Sequence, residues 1–268
     1  MRILLVGDVV GKAGRRVVGA LLPGLRNELS IDFVVANGEN LAHGRGTTEA
    51  TVKELIAAGV DVVSGGNHTW AYPEFVPLLD SDLPALRPAN YPPGAPGTGV
   101  WQNDRLAVVN LIGRTFMDAQ DDPFRVVDAI LADLPIGLPV VVDFHAEATS
   151  EKQALGWHLD GRVAAVVGTH THVPTADTRL LLSGTAYVSD LGMCGARDSV
   201  IGAEVESVLK RFRTGLPTRL PPAEAGPAVF GAVLVDVDET SGHADSIERV
   251  DRAWDPPTET HTAKKTGK

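Results

Sequence analysis

Five short apolar runs, each closing on residues able to bind a metal ion, constrain this chain more than any other feature. The runs are Ile3–Val6, Phe33–Ala36, Val60–Val63, Pro139–Phe144 and Val163–Val167. They lead into Gly7-Asp8, Asn37-Gly38-Glu39-Asn40, Gly65-Gly66-Asn67-His68, Asp143-Phe144-His145 and Gly168-Thr169-His170-Thr171-His172. Runs of this length, bounded by glycine and polar residues, read as buried strands. Segments with helical spacing lie between them. In Lys12–Leu29 the apolar residues Val17, Val18, Leu21 and Leu25 share a face, and Pro23 is expected to bend or break the helix. Thr47 and Thr48 can cap a helix that passes through Val52, Leu55 and Ile56 to a stop at Gly59. Alternation of strand and helix gives an α/β fold with helices layered on a sheet, largely parallel at this end.

The rest of the chain follows suit. A short helix is expected at Tyr72–Leu79, a Pro- and Gly-rich loop at Leu83–Gly99 and a strand at Leu106–Leu111. Helices follow at Pro123–Leu134 and Glu151–Leu159. Arg179–Leu182 and Thr185–Val188 flank Ser183-Gly184 as an antiparallel hairpin. A helix at Val200–Phe212 and strands at Phe230–Asp236 and Ser246–Val250 complete the reading. With no repeat and no break in composition, residues 1–255 are expected to form one domain, and the polar stretch 256–268 to be disordered.

The net charge of −10 disfavours a nucleic-acid polymer as partner, because surfaces that track phosphate backbones are basic. A small phosphorylated ligand stays open, since bound metal can override the global balance. The single cysteine, Cys194, excludes an internal disulfide and a thiolate-rich zinc site; it reads as a small buried filler. The apolar run after Met1 is too short for a signal peptide, and no run is long enough to span a bilayer. A cytoplasmic protein is expected, as a homo-oligomer.

In an open α/β sheet, ligands gather where the strands end. The residues closing the five runs would therefore converge at one edge. Leaving an extended strand, His170 and His172 would both face one point, because alternate side chains share a side. Taken singly, each residue has a plainer explanation. Asp8 serves equally well as a helix N-cap, Asn67 as a turn residue and His145 as a hydrogen-bonded core histidine. Glu39 is harder to dismiss, since an acid closing a buried strand needs a partner. Five such coincidences at one topological place favour a shared site. Nitrogen and oxygen donors without thiolate suit manganese, iron or zinc, and disfavour calcium. Six or seven ligands suit two adjacent cations, with Glu39 able to bridge them. Two carboxylates against two divalent ions leave about +2 of charge, a trap for phosphate. Cations about 3.5–4 Å apart hold a hydroxide nucleophile and stabilise in-line displacement at phosphorus.

Gly7-Asp8, Gly38-Glu39-Asn40, Gly66-Asn67-His68, His145 and Gly168-Thr169-His170-Thr171-His172 together resemble the motifs of the calcineurin-like metallophosphoesterases, in that family's order and over most of the chain. Departures stand at Val10, where the family usually has a metal-binding histidine, at Thr69 in place of an acid, and at Glu39 in place of aspartate. These variations resemble the YmdB-like bacterial subgroup of 2′,3′-cyclic nucleotide phosphodiesterases. The resemblance implies a four-layer αββα sandwich of two mixed sheets, with the later hairpins forming much of the second. It implies one cation on Asp8, Glu39, Asn40 and His172 and another on Glu39, Asn67, His145 and His170, with Asn40 filling the role vacant at Val10. It also implies that His68 stabilises the transition state or protonates the leaving oxygen as general acid.

Outside that set, His43 and Arg45 could meet phosphate or ribose, and Phe116 and the Met193–Arg197 loop, with Arg197, could shape a base pocket. The expected activity is hydrolysis of small 2′,3′-cyclic nucleotides using two divalent cations, iron or manganese first and zinc next. Release at the 2′ oxygen is implied by the resemblance alone. Two other readings compete: a phosphomonoesterase or nucleotidase on the same metals, and a nucleotide-binding regulator with little turnover, which Val10 keeps open.

Overall fold

The computed structural model describes residues 1–257; residues 258–268, which hold most of the stretch expected to be disordered, lie outside that range. In chain order the elements are β1 (Arg2–Val6), β2 (Asp8–Val9), α1 (Gly11–Glu28), β3 (Phe33–Asn37), α2 (Glu49–Ala58), β4 (Val62–Ser64), β5 (Val100–Gln102) and β6 (Ala107–Ile112). Then come α3 (Pro123–Asp133), β7 (Val140–His145), α4 (Thr149–Leu159), β8 (Ala165–Thr169), β9 (Arg179–Leu180), β10 (Ala186–Val188) and β11 (Met193–Ala196). The last are α5 (Val205–Thr214), β12 (Ala228–Phe230), β13 (Ala232–Val237), β14 (Ala244–Arg249) and β15 (Arg252–Trp254). The protein is a mixed α/β fold with several sheets.

Two large sheets share the strands that close on the candidate ligands. The first runs β14-β13-β1-β3-β4, with β1, β3 and β4 parallel and β13 antiparallel to β1. The second runs β5-β6-β7-β8-β10-β9, parallel in its middle and closed by antiparallel edges. A third, small sheet runs β15-β12-β11-β2. The later hairpins therefore divide. β9–β10 extends the second sheet as expected, whereas β13–β14 extends the first, because Leu4 and Leu5 of β1 find their partners in Leu234 and Val233.

Side chains alternate along each strand, so both sheets bury two faces. Leu4, Val6, Val34 and Ala36 pack on Val17, Val18, Leu22 and Leu25 of α1 and Val52 and Leu55 of α2. The alternate residues Ile3, Leu5 and Val35 meet Val108, Val141, Ala165, Val167 and Val188 of the second sheet. On the far side of that sheet, Ala107, Val109, Val142 and Phe144 pack on Val127 of α3 and Leu155 and Leu159 of α4.

Local chemistry sets the helix ends. α2 begins at Thr48 with a reciprocal Thr48–Thr51 capping box and ends at Gly59, whose φ of 106° suits glycine. Pro23 does not break α1. It lies on the solvent side, as does Gly19, so the carbonyl that loses its donor there is exposed to water, while the buried stripe from Val17 to Leu25 runs on. The helix expected at Tyr72–Leu79 is instead a 3₁₀ turn at Val76–Asp80, since Pro73 and Pro77 cannot donate to an α-helical ladder. The helix expected from Val200 starts at Val205, because Ile201 (φ 48°) and Gly202 (φ 93°) turn left-handed.

One buried ion pair ties α4 to the loop after β10, and through it to the loop after β8. Lys152 Nζ donates to Asp190 Oδ2 at 2.7 Å, with each side chain 1% exposed. The same oxygen accepts the Thr171 N–H (3.1 Å) and hydroxyl (2.8 Å), and Oδ1 accepts Gly192 N–H (2.8 Å). Asp190→Asn strands a buried ammonium and should lower unfolding free energy by about 3–5 kcal/mol in urea titrations. Lys152→Met leaves the carboxylate its other donors and should cost less.

Candidate metal centre

The residues closing the five runs do meet, but not at the edge of one sheet. Asp8, Glu39, Asn40, Asn67 and His68 follow β1, β3 and β4 of the first sheet; His145, His170 and His172 end or follow β7 and β8 of the second. The carboxyl ends of both sheets abut, bringing acids from one against imidazoles from the other.

Asp8 is not a helix cap: the N-cap of α1 is Val10, which has no side-chain cap. A Cβ at Gly7 would overlap the Gly192 carbonyl, so glycine lets the chain cross tightly before Asp8. Asp8 Oδ2 accepts the His170 N–H at 3.0 Å. Asp8 Oδ1 is buried without a hydrogen-bond partner, lying 3.6 Å from His172 Nε2 and 4.0 Å from His145 Nδ1. Glu39 sits centrally. Its Oε2 accepts the His68 N–H (2.9 Å) and lies 3.3 Å from His145 Nε2, while Oε1 accepts Asn40 Nδ2 (3.1 Å). Glycine is required at Gly66, where a Cβ would overlap Glu39 Oε2 and His145 Nε2.

The two histidines of Gly168-Thr169-His170-Thr171-His172 do not share a target. Both lie beyond β8 in left-handed backbone, with φ of 99° and 65°, so strand alternation does not aim them. His170 Nδ1 is 3.1 Å from His145 Nε2, and its Nε2 is 3.1 Å from Glu147. His172 turns to Asn40 Nδ2 (3.2 Å) and the Asp8 carboxylate, and its Nδ1 donates to the Ile201 carbonyl at 2.8 Å. Asn67 Oδ1 is 3.0 Å from His145 Nε2, more than a turn residue would do.

A buried network holds the His145 ring. Thr169 Oγ1 donates to Asp143 Oδ1 at 2.7 Å and lies 3.0 Å from His145 Nδ1. A hydroxyl that has given away its proton must accept, so Nδ1 of His145 donates to Thr169 and the ring's Nε2 is directed at Glu39 and Asn67. Ser64 and Asn37 also donate to Asp143. Sequence reading placed Asn37, Asp143 and Thr169 in the segments that close the runs but gave them no role, and passed over Ser64. The signal was an acid two residues before His145 on an otherwise apolar strand, which needs buried donors as Glu39 does. Glu147 carried no signal.

His68 is the more open member, 26% exposed at its side chain; its Nδ1 lies 2.9 Å from Asn40 Oδ1 and 3.0 Å from Glu39 Oε1. Both neighbours are acceptors, so Nδ1 donates. His43 (φ 54°), Arg45, Phe116 (φ 62°, 90% exposed) and Arg197 are on exposed loops, and Arg197 pairs with Asp198 at 3.2 Å. Among the described residues none of these four joins the cluster by a hydrogen bond or ion pair.

The electrostatics keep the acids ionised. Burial pushes Glu39 up, but His145 and His68 hold it well below its ordinary value; burial likewise raises Asp8, and His172 and His145 outweigh it. Burial and the neighbouring His145 charge drop His170 to about 4. Burial pulls His172 down, yet the Asp8 carboxylate lifts it to about 9. Glu39, His145 and His170 each place a ligand atom within 4.8 Å of the others, so they could hold a cation. For metal-free protein the sign follows: the His172–Asp8 attraction stabilises fully below the ordinary histidine pKa near 6.5 and fades as pH rises through about 9. Imidazole NMR titration should place His172 near 9, and Asp8→Asn should return it toward 6.5.

Known proteins share this arrangement of sequence and fold. The chain is 48% identical to the 2′,3′-cyclic-nucleotide 2′-phosphodiesterase of Bacillus subtilis over 256 residues, 93% of this chain and 96% of the relative. A crystal structure of a hypothetical protein from Thermus thermophilus matches with a TM-score of 0.89 at 46% identity, covering 96% of this chain and all of the other. A phosphatase structure from Mycoplasma pneumoniae matches with a TM-score of 0.89 at 32% identity, covering 96% and 95%. The family model described as YmdB-like protein matches residues 4–250, and the chain belongs to that family.

Proposed function

We propose that the chain is a metal-dependent phosphodiesterase that hydrolyses small 2′,3′-cyclic nucleotides, releasing the 2′ oxygen. One observation carries it: a buried, partnerless carboxylate oxygen, Asp8 Oδ1, faces a cluster of nitrogen and oxygen donors. An anionic oxygen without a donor is costly in the interior, and a cation relieves that cost. The name of the Bacillus relative and the family support the same reading. The donor set fits iron, manganese or zinc.

In this reading Asp8, Glu39, Asn40 and His172 would hold one cation and Glu39, Asn67, His145 and His170 the other. Such cations would supply Lewis acidity, activating water at neutral pH and neutralising charge on phosphate oxygens. The chain's own residues do the rest. Asp143 and Thr169 hold the His145 ring with Nε2 inward, and the Ile201 carbonyl does the same for His172. His68, anchored through Nδ1 to Asn40, presents Nε2 to the leaving ribose oxygen and donates a proton there. The architecture proposed is the four-layer αββα sandwich, supported by three separate apolar clusters, one between the two sheets and one between each sheet and its helices. Residues 1–255 are proposed to act as one domain in a cytoplasmic homo-oligomer; among the described residues no helix is long and apolar enough to cross a membrane.

A phosphatase reading has one observation in its favour, the likeness to the Mycoplasma pneumoniae protein, which is described as a phosphatase. Parallel assays on 2′,3′-cyclic, 3′,5′-cyclic and monoester nucleotides decide between them, and preference for the monoester overturns the phosphodiesterase. Chelation should abolish turnover, with manganese or ferrous iron restoring it. Asp8→Asn should lower metal content by elemental analysis, whereas His68→Ala should keep its metal and lose about 10²–10⁴-fold in kcat. Thr169→Val frees the His145 ring and should weaken metal binding by about 10–100-fold in calorimetric titration.

A further inference from the structure

α5 lies in the excursion between β11 and β12. Val208 is its one buried residue. Val205, Leu209 and Phe212 recur at helical spacing on a face turned to water, with Phe212 82% exposed, and Leu216 follows past the left-handed Gly215. Ten-residue helices are marginal in water on their own; isolated helices need roughly 12–15 residues. The segment's base is nevertheless fixed, since Glu204 N–H donates to the Pro221 carbonyl (2.9 Å) and Ala223 N–H to that of Gly202 (2.8 Å). A rigidly mounted helix thus presents an uncovered apolar stripe.

We propose that this stripe is the contact between two copies of the chain, packed helix against helix in antiparallel fashion. The stripe is self-complementary in that orientation. Reversing one copy sets Val205 against Phe212 of the other and puts Leu209 near the twofold axis. Glu206 and Arg213 are both exposed and seven positions apart, so they share one flank of the helix. In an isologous antiparallel pair like flanks meet, and Glu206 of each copy comes within about 3 Å, along the axis, of Arg213 of the other. The pair forms twice. An anionic membrane is the competing occupant for a helix bearing Lys210, Arg211 and Arg213, but a chain of net charge −10 is repelled by such a surface. The contact rests on nothing in the metal site.

Sedimentation equilibrium on the full chain tests it, with circular dichroism as the check on folding. Wild type should be dimeric, or of higher even order, at micromolar concentration. Phe212→Asp should weaken association about 100-fold or more. Glu206→Arg sets like charges together and should weaken it about tenfold, and the swap Glu206→Arg/Arg213→Glu should restore it. A wild type that stays monomeric at tens of micromolar overturns the proposal, as does an oligomer indifferent to Phe212→Asp or a swap that fails to restore. Flotation of a monomeric wild type with phosphatidylglycerol vesicles, lost in Phe212→Asp, would assign the stripe to a membrane instead.

Discussion

The attraction between Asp8 and Glu39, which follow strands of one sheet, and His145 and His172 of the other is the interaction on which the rest of the site depends. Each partner is buried, and alone each would pay heavily for leaving water. Together they keep both carboxylates ionised and hold His172 protonated against the pull of burial. The pairing leaves Asp8 Oδ1 without a hydrogen bond, so the cluster is saturated with acceptors and short of positive charge. That imbalance is what a metal site looks like chemically.

Part of the backbone strain lies at it. Among the described residues, the non-glycine residues with positive φ are Ser30, His43, Phe116, His170, His172 and Ile201, and the last three belong to the site. Left-handed backbone costs such residues about 1–3 kcal/mol each. For His170 and His172 the gain is direction, since it sends one ring to His145 and the other to Asp8. For Ile201, β-branched and therefore more strained, it turns a carbonyl onto His172 Nδ1. Rigid supports on the second sheet, from Asp143 through Thr169 to His145 and from Lys152 through Asp190 to Thr171, hold these strained loops.

Much of the fold was legible because apolar runs and helical spacing are local properties. Strands at Ile3, Phe33, Pro139 and Val163 lie within two residues of their expected starts, and Thr48 and Gly59 bound α2 by side-chain and backbone chemistry. Errors arose where neighbours decide. Pro23 is tolerated because its face of α1 meets solvent, and β2, β5, β11, β12 and β15 are too short to announce themselves. Their hydrogen-bond partners lie elsewhere in the chain.

For the site, the sequence alone determined the chemical inventory, because acid, amide and imidazole placed just after buried strands are visible as residue types and spacing. It could not determine that they belong to two sheets, since strand order depends on pairings as distant as that of β1 with β13, Arg2 against Asp236. Nor could it say that His170 and His172 part company, which the left-handed turns decide. Only the tertiary structure set acid against imidazole and left one carboxylate oxygen bare, because distance and burial are properties of the packed chain and not of any local stretch.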